Sequence, residues 1–170
     1  MKKALVFALA ASLYGGIEMQ SFYAKFVQRI TNDQNRTITY RGEVAYEAPD
    51  RTIWRYESPT KKTILIQGSR VIVVEPELEQ ATFSQLRKDR QIFSLLQKAR
   101  KVAPGRYVLS LDEKNLSIFT DANDTIKRVR FKDEMDNDVE VEFVDRQKDI
   151  ELDDSFFEVK IPADFDRIVR

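Results

Sequence analysis

At 170 residues, with 42% hydrophobic and 11% aromatic side chains, the chain has the size and composition of one globular domain, and 28 basic against 28 acidic residues leave no net charge to draw it to nucleic acid. Cysteine and histidine are both absent. That removes disulfides, thiolate and imidazole metal ligands, the commonest general base near neutral pH, and every Ser-His or Cys-His triad. A non-enzymatic protein without metal or cofactor is the expectation.

The chain opens with Met1-Lys2-Lys3, continues through an apolar run from Ala4 to Tyr14, and closes this stretch with Gly15-Gly16. A charged start, a short apolar segment and small residues read as a secretory signal peptide, since a spanning helix needs about 20 apolar residues. Residues 1–16 are therefore expected to be a signal peptide and 17–170 an exported folded domain. Without cysteine, that domain cannot be acylated at its own start.

Between Gly16 and Gln34, Ile17, Phe22, Phe26 and Ile30 have roughly helical spacing, while Phe22, Ala24 and Phe26 alternate. A short helix running into a strand is expected there, followed by a turn over Thr31 to Arg36. From Thr37 the alternation is regular: Ile38, Tyr40, Gly42, Val44 and Tyr46 share one face of a half-buried strand. Ala48-Pro49-Asp50 interrupts it, Thr52 to Glu57 resumes it, and Ser58-Pro59-Thr60 interrupts it again. Thr63 to Ile66 and Val71 to Glu75, joined by Gln67-Gly68-Ser69-Arg70, predict a tight hairpin, and Pro76 to Glu79 turns the chain into a further strand over Gln80 to Leu86.

A helix is predicted from about Asp89 to Lys101, where Ile92, Leu95, Leu96 and Ala99 make an apolar stripe beside basic Lys98, Arg100 and Lys101. It reads either as a solvated surface helix or as a lid whose stripe plugs an opening. Strands return at Tyr107, Leu109, Leu111 and at Leu116, Ile118. In the next hairpin, Val129 and Phe131 oppose Val139 and Val141, so Lys132 meets Asp138, Arg130 meets Glu140 and Arg128 meets Glu142 across the polar face. The acidic run Asp133 to Asp138 lacks the glycine and terminal glutamate of a calcium loop, and nothing sets Asp153 and Asp154 across a sugar-sized cleft.

These elements add up to a mainly β (α+β) chain, an antiparallel sheet with one apolar face and little helix to cover it. Such a face must close on itself, pack on something, or leave a cavity. Tyr40, Tyr46, Trp54, Tyr56, Phe83, Tyr107, Phe131 and Phe143 are rigid enough to line such a space.

Three features resemble the LolA family of periplasmic outer-membrane lipoprotein carriers. Ser21-Phe22-Tyr23-Ala24-Lys25-Phe26-Val27-Gln28 is similar to its aromatic-x-x-x-Phe-x-Gln opening, Pro49 is followed by Trp54 and Pro59 at the family's spacing, and Glu79-Gln80-Ala81-Thr82 follows the second hairpin strand. The resemblance implies a single curved antiparallel sheet forming an incomplete, half-open β-barrel, covered by short helices as a lid. Its hollow would take the acyl chains of lipoproteins from an inner-membrane ABC transporter and pass them to an outer-membrane lipoprotein receptor, the carrier being a periplasmic monomer. Carried onto this sequence, the acyl-chain cavity would comprise Phe26, Tyr40, Val44, Trp54, Tyr56, Ile64, Ile66, Val73, Phe83, Ile92, Leu95, Leu96, Leu109, Ile118, Phe131 and Val141. Two departures stand out: Ala48 occupies the family's usual basic latch position, leaving Arg51 as the nearby lid or latch candidate, and only Gly16 to Ser21 separates the signal-like run from Phe22, so either the first lid element is truncated or the apolar run is partly retained. The alternative is a periplasmic lipid- or lipoprotein-sensing module of the same fold, which would ordinarily carry a second domain.

Overall fold

The computed structural model describes residues 15–86, 92–111 and 114–170. Twelve strands form one sheet: β1 (Ser21–Thr31), β2 (Thr37–Glu47), β3 (Arg51–Ser58), β4 (Lys62–Gln67), β5 (Arg70–Glu75), β6 (Gln80–Gln85), β7 (Arg100–Ala103), β8 (Arg106–Leu111), β9 (Lys114–Thr120), β10 (Ile126–Lys132), β11 (Asp138–Lys148) and β12 (Asp166–Val169). Their order is β12-β6-β5-β4-β3-β2-β1-β11-β10-β9-β8-β7. Every neighbouring pair is antiparallel except β12, which runs parallel to β6. The outermost strands β12 and β7 do not pair with each other, so the curved sheet stays an open, incomplete barrel.

The hairpin register expected from charge alternation is the one that forms. Phe131 faces Val139, Lys132 faces Asp138, Arg130 faces Glu140 and Arg128 faces Glu142. One ion pair differs from expectation: Arg128 leans over the Phe119 ring at 5.0 Å and reaches Glu140 at 3.8 Å, while Glu142 is taken at 3.2 Å by Arg29 of β1. The competing partner lies on the strand on the far side of β11, which a hairpin considered alone does not contain.

Two helical expectations change. Among the described residues no helix precedes β1: Gly15 to Gln20 is irregular, and Phe22 to Thr31 is strand because β2 and β11 pair with it along its length. Of the helix expected over Asp89 to Lys101, residues 89–91 lie outside the described residues. From Ile92 it continues only as α1 (Ile92–Leu95) and a 3-10 turn over Leu96–Lys98, and Arg100 and Lys101 belong to β7. The open edge of β8 offers hydrogen-bonding partners to Arg100–Ala103, and this tertiary pairing outweighs the local period.

The sheet buries both faces over its centre. The inner face carries the larger cluster, built on Phe22, Phe26, Val44, Tyr46, Phe143, Val141, Ile118 and Leu109 and capped by Phe93, Leu95 and Leu96. The outer face of β2–β4 carries a smaller one, where Leu152 and Phe157 of the C-terminal segment cover Ala45, Ile53 and Leu65. This second layer was not expected from the sequence. Arg55 fastens it by donating to the Phe156 carbonyl at 2.5 Å.

Gly42 marks the closest approach between strands. A Cβ there would lie 1.9 Å from the Arg55 carbonyl oxygen, at the point where the β2–β3 register shifts. Backbone rather than a flexible side chain is in the way, so Gly42→Ala must displace β3. The expected cost is about 1–3 kcal/mol, read as a lower urea midpoint in equilibrium unfolding. An unchanged midpoint would show that β3 is free to move.

Candidate functional site: the apolar inner face

Alternation places the apolar side chains of nine neighbouring strands, β5 through β8 in sheet order, on one side, and the register aligns them into rows. Across one row run Phe22 and Tyr46, and across the next Val44, Trp54, Ile64 and Val73. Over the centre of this surface lies α1, whose Phe93 stacks on Tyr46 at 5.1 Å with the rings 16° apart and also meets Phe22 and Trp54, each at 5.9 Å. Phe22 packs edge-on against Phe143 at 5.5 Å, and Phe26 against Trp54 and Tyr56 at 5.1 and 5.0 Å. The irregular segment before β1 holds this layer: the Ile17 amide donates to the Leu96 carbonyl at 3.0 Å, and a Cβ on Gly16 would collide with the Gln97 backbone.

The sequence-derived cavity residues divide into five groups. Phe26, Val44, Leu95, Leu96, Leu109, Ile118 and Val141 are buried members of the inner cluster, and Trp54, Tyr56, Ile92 and Phe131 pack against it half-buried. Tyr40 meets Tyr56 edge-on at 5.8 Å. Ile64, Ile66 and Val73 continue the same face onto β4 and β5, half-buried and outside both clusters, together with Val71 opposite Ile66. Phe83 does not belong: the register sets it opposite Ile72, one residue out of phase with Thr82 and Val73, so it points to the outer face. Size and rigidity put Phe83 on the candidate list, but in a strand parity decides the side.

Phe93 is the functional candidate that sequence reasoning missed. A continuous helix starting before Ile92 gives the inward stripe to Ile92, Leu95, Leu96 and Ala99, whereas the single turn followed by a 3-10 turn buries Phe93 with Leu95 and Leu96. Phe22, Tyr46 and Phe143 were legible from alternation alone.

Arg51 is not a latch on this layer. It is one residue out of phase with the buried inner Thr52, and its guanidinium pairs with Glu47, with Asp154 at 2.8 Å, and lies over the Phe157 ring at 4.1 Å. It therefore ties the C-terminal segment to the outer face. The acidic loop after β10 is likewise structural: the Asp133 carboxylate accepts from the Met135 and Asn137 amides and the Asn137 side chain, contacts that lower its pKa, the Asn137 side chain foremost.

One side-chain hydrogen bond lies beside the aromatic cluster of the inner face. The Tyr56 hydroxyl donates to Gln28 Oε1 at 3.0 Å. Burial, with a smaller contribution from Tyr40, pushes that hydroxyl up from 10.0 to about 12. An unfolded chain releases the proton near pH 10, so the unfolded form binds fewer protons than the native one between pH 10 and 12. Stability complete below pH 10 is lost as pH rises toward 12, by about 2–3 kcal/mol at most. The Tyr56→Phe variant is expected to show a flatter decline of the urea midpoint across that window than the parent, and equal slopes would disprove the assignment.

The comparisons with known proteins agree with this architecture. The family model described as "Outer membrane lipoprotein carrier protein LolA" matches residues 18–160. An outer-membrane lipoprotein carrier protein of Wolinella succinogenes is 34% identical over 136 residues, covering 80% of this chain and 78% of its own. Another from Campylobacter jejuni is 30% identical over 154 residues, covering 91% and 89%. Among solved structures, an uncharacterized conserved protein from Thermus thermophilus superposes with a TM-score of 0.57 at 12% identity, over 89% of this chain and 91% of that one, a likeness of fold. With the half-open sheet and its apolar inner face in place, a match across nearly the whole described chain makes this protein a member of the LolA family of outer-membrane lipoprotein carriers.

Proposed function

We propose that the chain is a periplasmic carrier whose inner face shelters the acyl chains of lipoproteins, loaded by an inner-membrane ABC transporter and unloaded to an outer-membrane receptor. Residues 1–16 serve as the export signal and 17–170 as the carrier domain. One observation carries this reading: among the described residues the apolar inner face is longer than the layer packed on its centre, because Ile64, Ile66, Val71 and Val73 extend it beyond the cluster and remain half-buried. An acyl chain adds to that half-buried end, and continues toward the middle by displacing the Phe93 layer.

The energetics suit transfer rather than storage. Burying a methylene gains about 0.8 kcal/mol relative to water, so a chain of ordinary length gains on the order of 10 kcal/mol over water and almost nothing over a bilayer. Lifting Phe93 from its aromatic neighbours costs part of that gain. Loading then draws energy from the transporter, unloading runs downhill to a better cavity, and no covalent chemistry is involved.

The purified protein is expected to form a soluble complex with an acylated lipoprotein and none with its unacylated form, and to shift Trp54 fluorescence to shorter wavelength on loading. Ile66→Glu places a charge on the half-buried part of the face. It is expected to weaken capture by about tenfold or more without lowering the melting temperature by more than a few degrees. Equal capture of acylated and unacylated cargo would overturn the proposal.

A further inference from the structure

The edge of the sheet at β7 is incomplete. β7 pairs with β8 through Arg100 opposite Val108, Lys101 opposite Tyr107 and Ala103 opposite Arg106, whereas β8 continues to Leu111. At Ala99 the chain leaves the edge for the turn over Leu96–Lys98. Leu109 and Ser110 thus pair with Leu116 and Asn115 of β9 on one side, and no strand among the described residues pairs with them on the other. A cavity of about 430 Å³ occupies that place, lined by Leu95, Lys98, Arg100 and β8 from Val108 to Leu111.

Its lining has two characters. Leu95 and Leu109 are buried members of the inner cluster and Leu111 packs against it, so the floor is continuous with the apolar inner face. Lys98 and Arg100 at the rim are exposed, and among the described residues neither has an ion-pair partner. Leu109 to Leu111 of β8, open on the side away from β9, span about 10 Å, the length of a three-residue extended segment. An open strand edge is a template for main-chain pairing, and neighbouring side chains select the sequence.

We propose that this gap receives the extended polypeptide attached to the acyl chains of the cargo, as a short strand added to β8, and that Lys98 and Arg100 favour acidic side chains in it. The inference rests on the carrier reading above. Continuity of floor and inner face is what assigns the gap to the cargo's own peptide: lipid on the apolar face brings the attached chain to this edge.

The test uses the purified protein, palmitate, and two palmitoylated hexapeptides, one with two glutamates and one with two lysines. The acidic peptide is expected to slow hydrogen exchange at those of the Leu109 to Leu111 amides that point away from β9 and to bind about tenfold tighter than the basic one. Charge reversal at both rim positions, Lys98→Glu with Arg100→Glu, is expected to abolish or invert that preference. If both peptides bind equally to the parent protein, or the preference survives charge reversal, the edge site is overturned while the carrier reading stands. If neither palmitate nor either peptide binds, the carrier reading itself falls and this inference with it.

Discussion

A large β-sheet with an apolar face cannot leave that face in water, and this constraint governs the molecule. Among the described residues the covering is one turn of helix, a 3-10 turn and six irregular residues before β1, centred on Phe93 and its contacts with Phe22, Tyr46 and Trp54. This layer is joined to the sheet by buried Ile17, Met19, Phe93, Leu95 and Leu96, with a backbone hydrogen bond from Ile17 to Leu96 within it and one from Ala48, next to β2, to Gln20. The strands beneath it are paired in one continuous order, so the apolar floor is continuous from strand to strand.

The opposite face is stabilised by different means. Over β2–β4 the C-terminal segment adds Leu152 and Phe157, fastened by Arg51 and Arg55. Over β8–β11, Phe119 lies beneath Arg106, Arg128 and Arg130, and Glu140 joins Arg29, Arg128 and Arg130. Exposed ion pairs of this kind contribute little each. Their value is in register: a slip by one residue would bury them and expose the apolar rows.

Much of the inner face was legible because strand parity is a property of adjacent residues. Val44, Trp54 and Val141 could be assigned a side by counting in twos, and the β10–β11 charges set the pairing of that hairpin. The errors share one cause. Phe83 was chosen for size where parity decides, Arg51 for proximity to a family position, and the long helix for a local period, and each depends on what lies opposite in space. Glu142 chose Arg29 over Arg128 for the same reason.

The sequence by itself determined which residues are apolar, how they alternate, where turns interrupt them, and that no histidine or cysteine chemistry is available, because these are local or compositional properties. Only the tertiary structure decided that Phe93 is the central cap, that residues after Ile150 cover the outer face, that Arg100–Ala103 abandons helix for the edge of β8, and that the edge then leaves a gap. Each of these rests on surfaces far apart in the chain meeting in competition for burial or for backbone hydrogen bonds, and no window of local sequence contains both competitors.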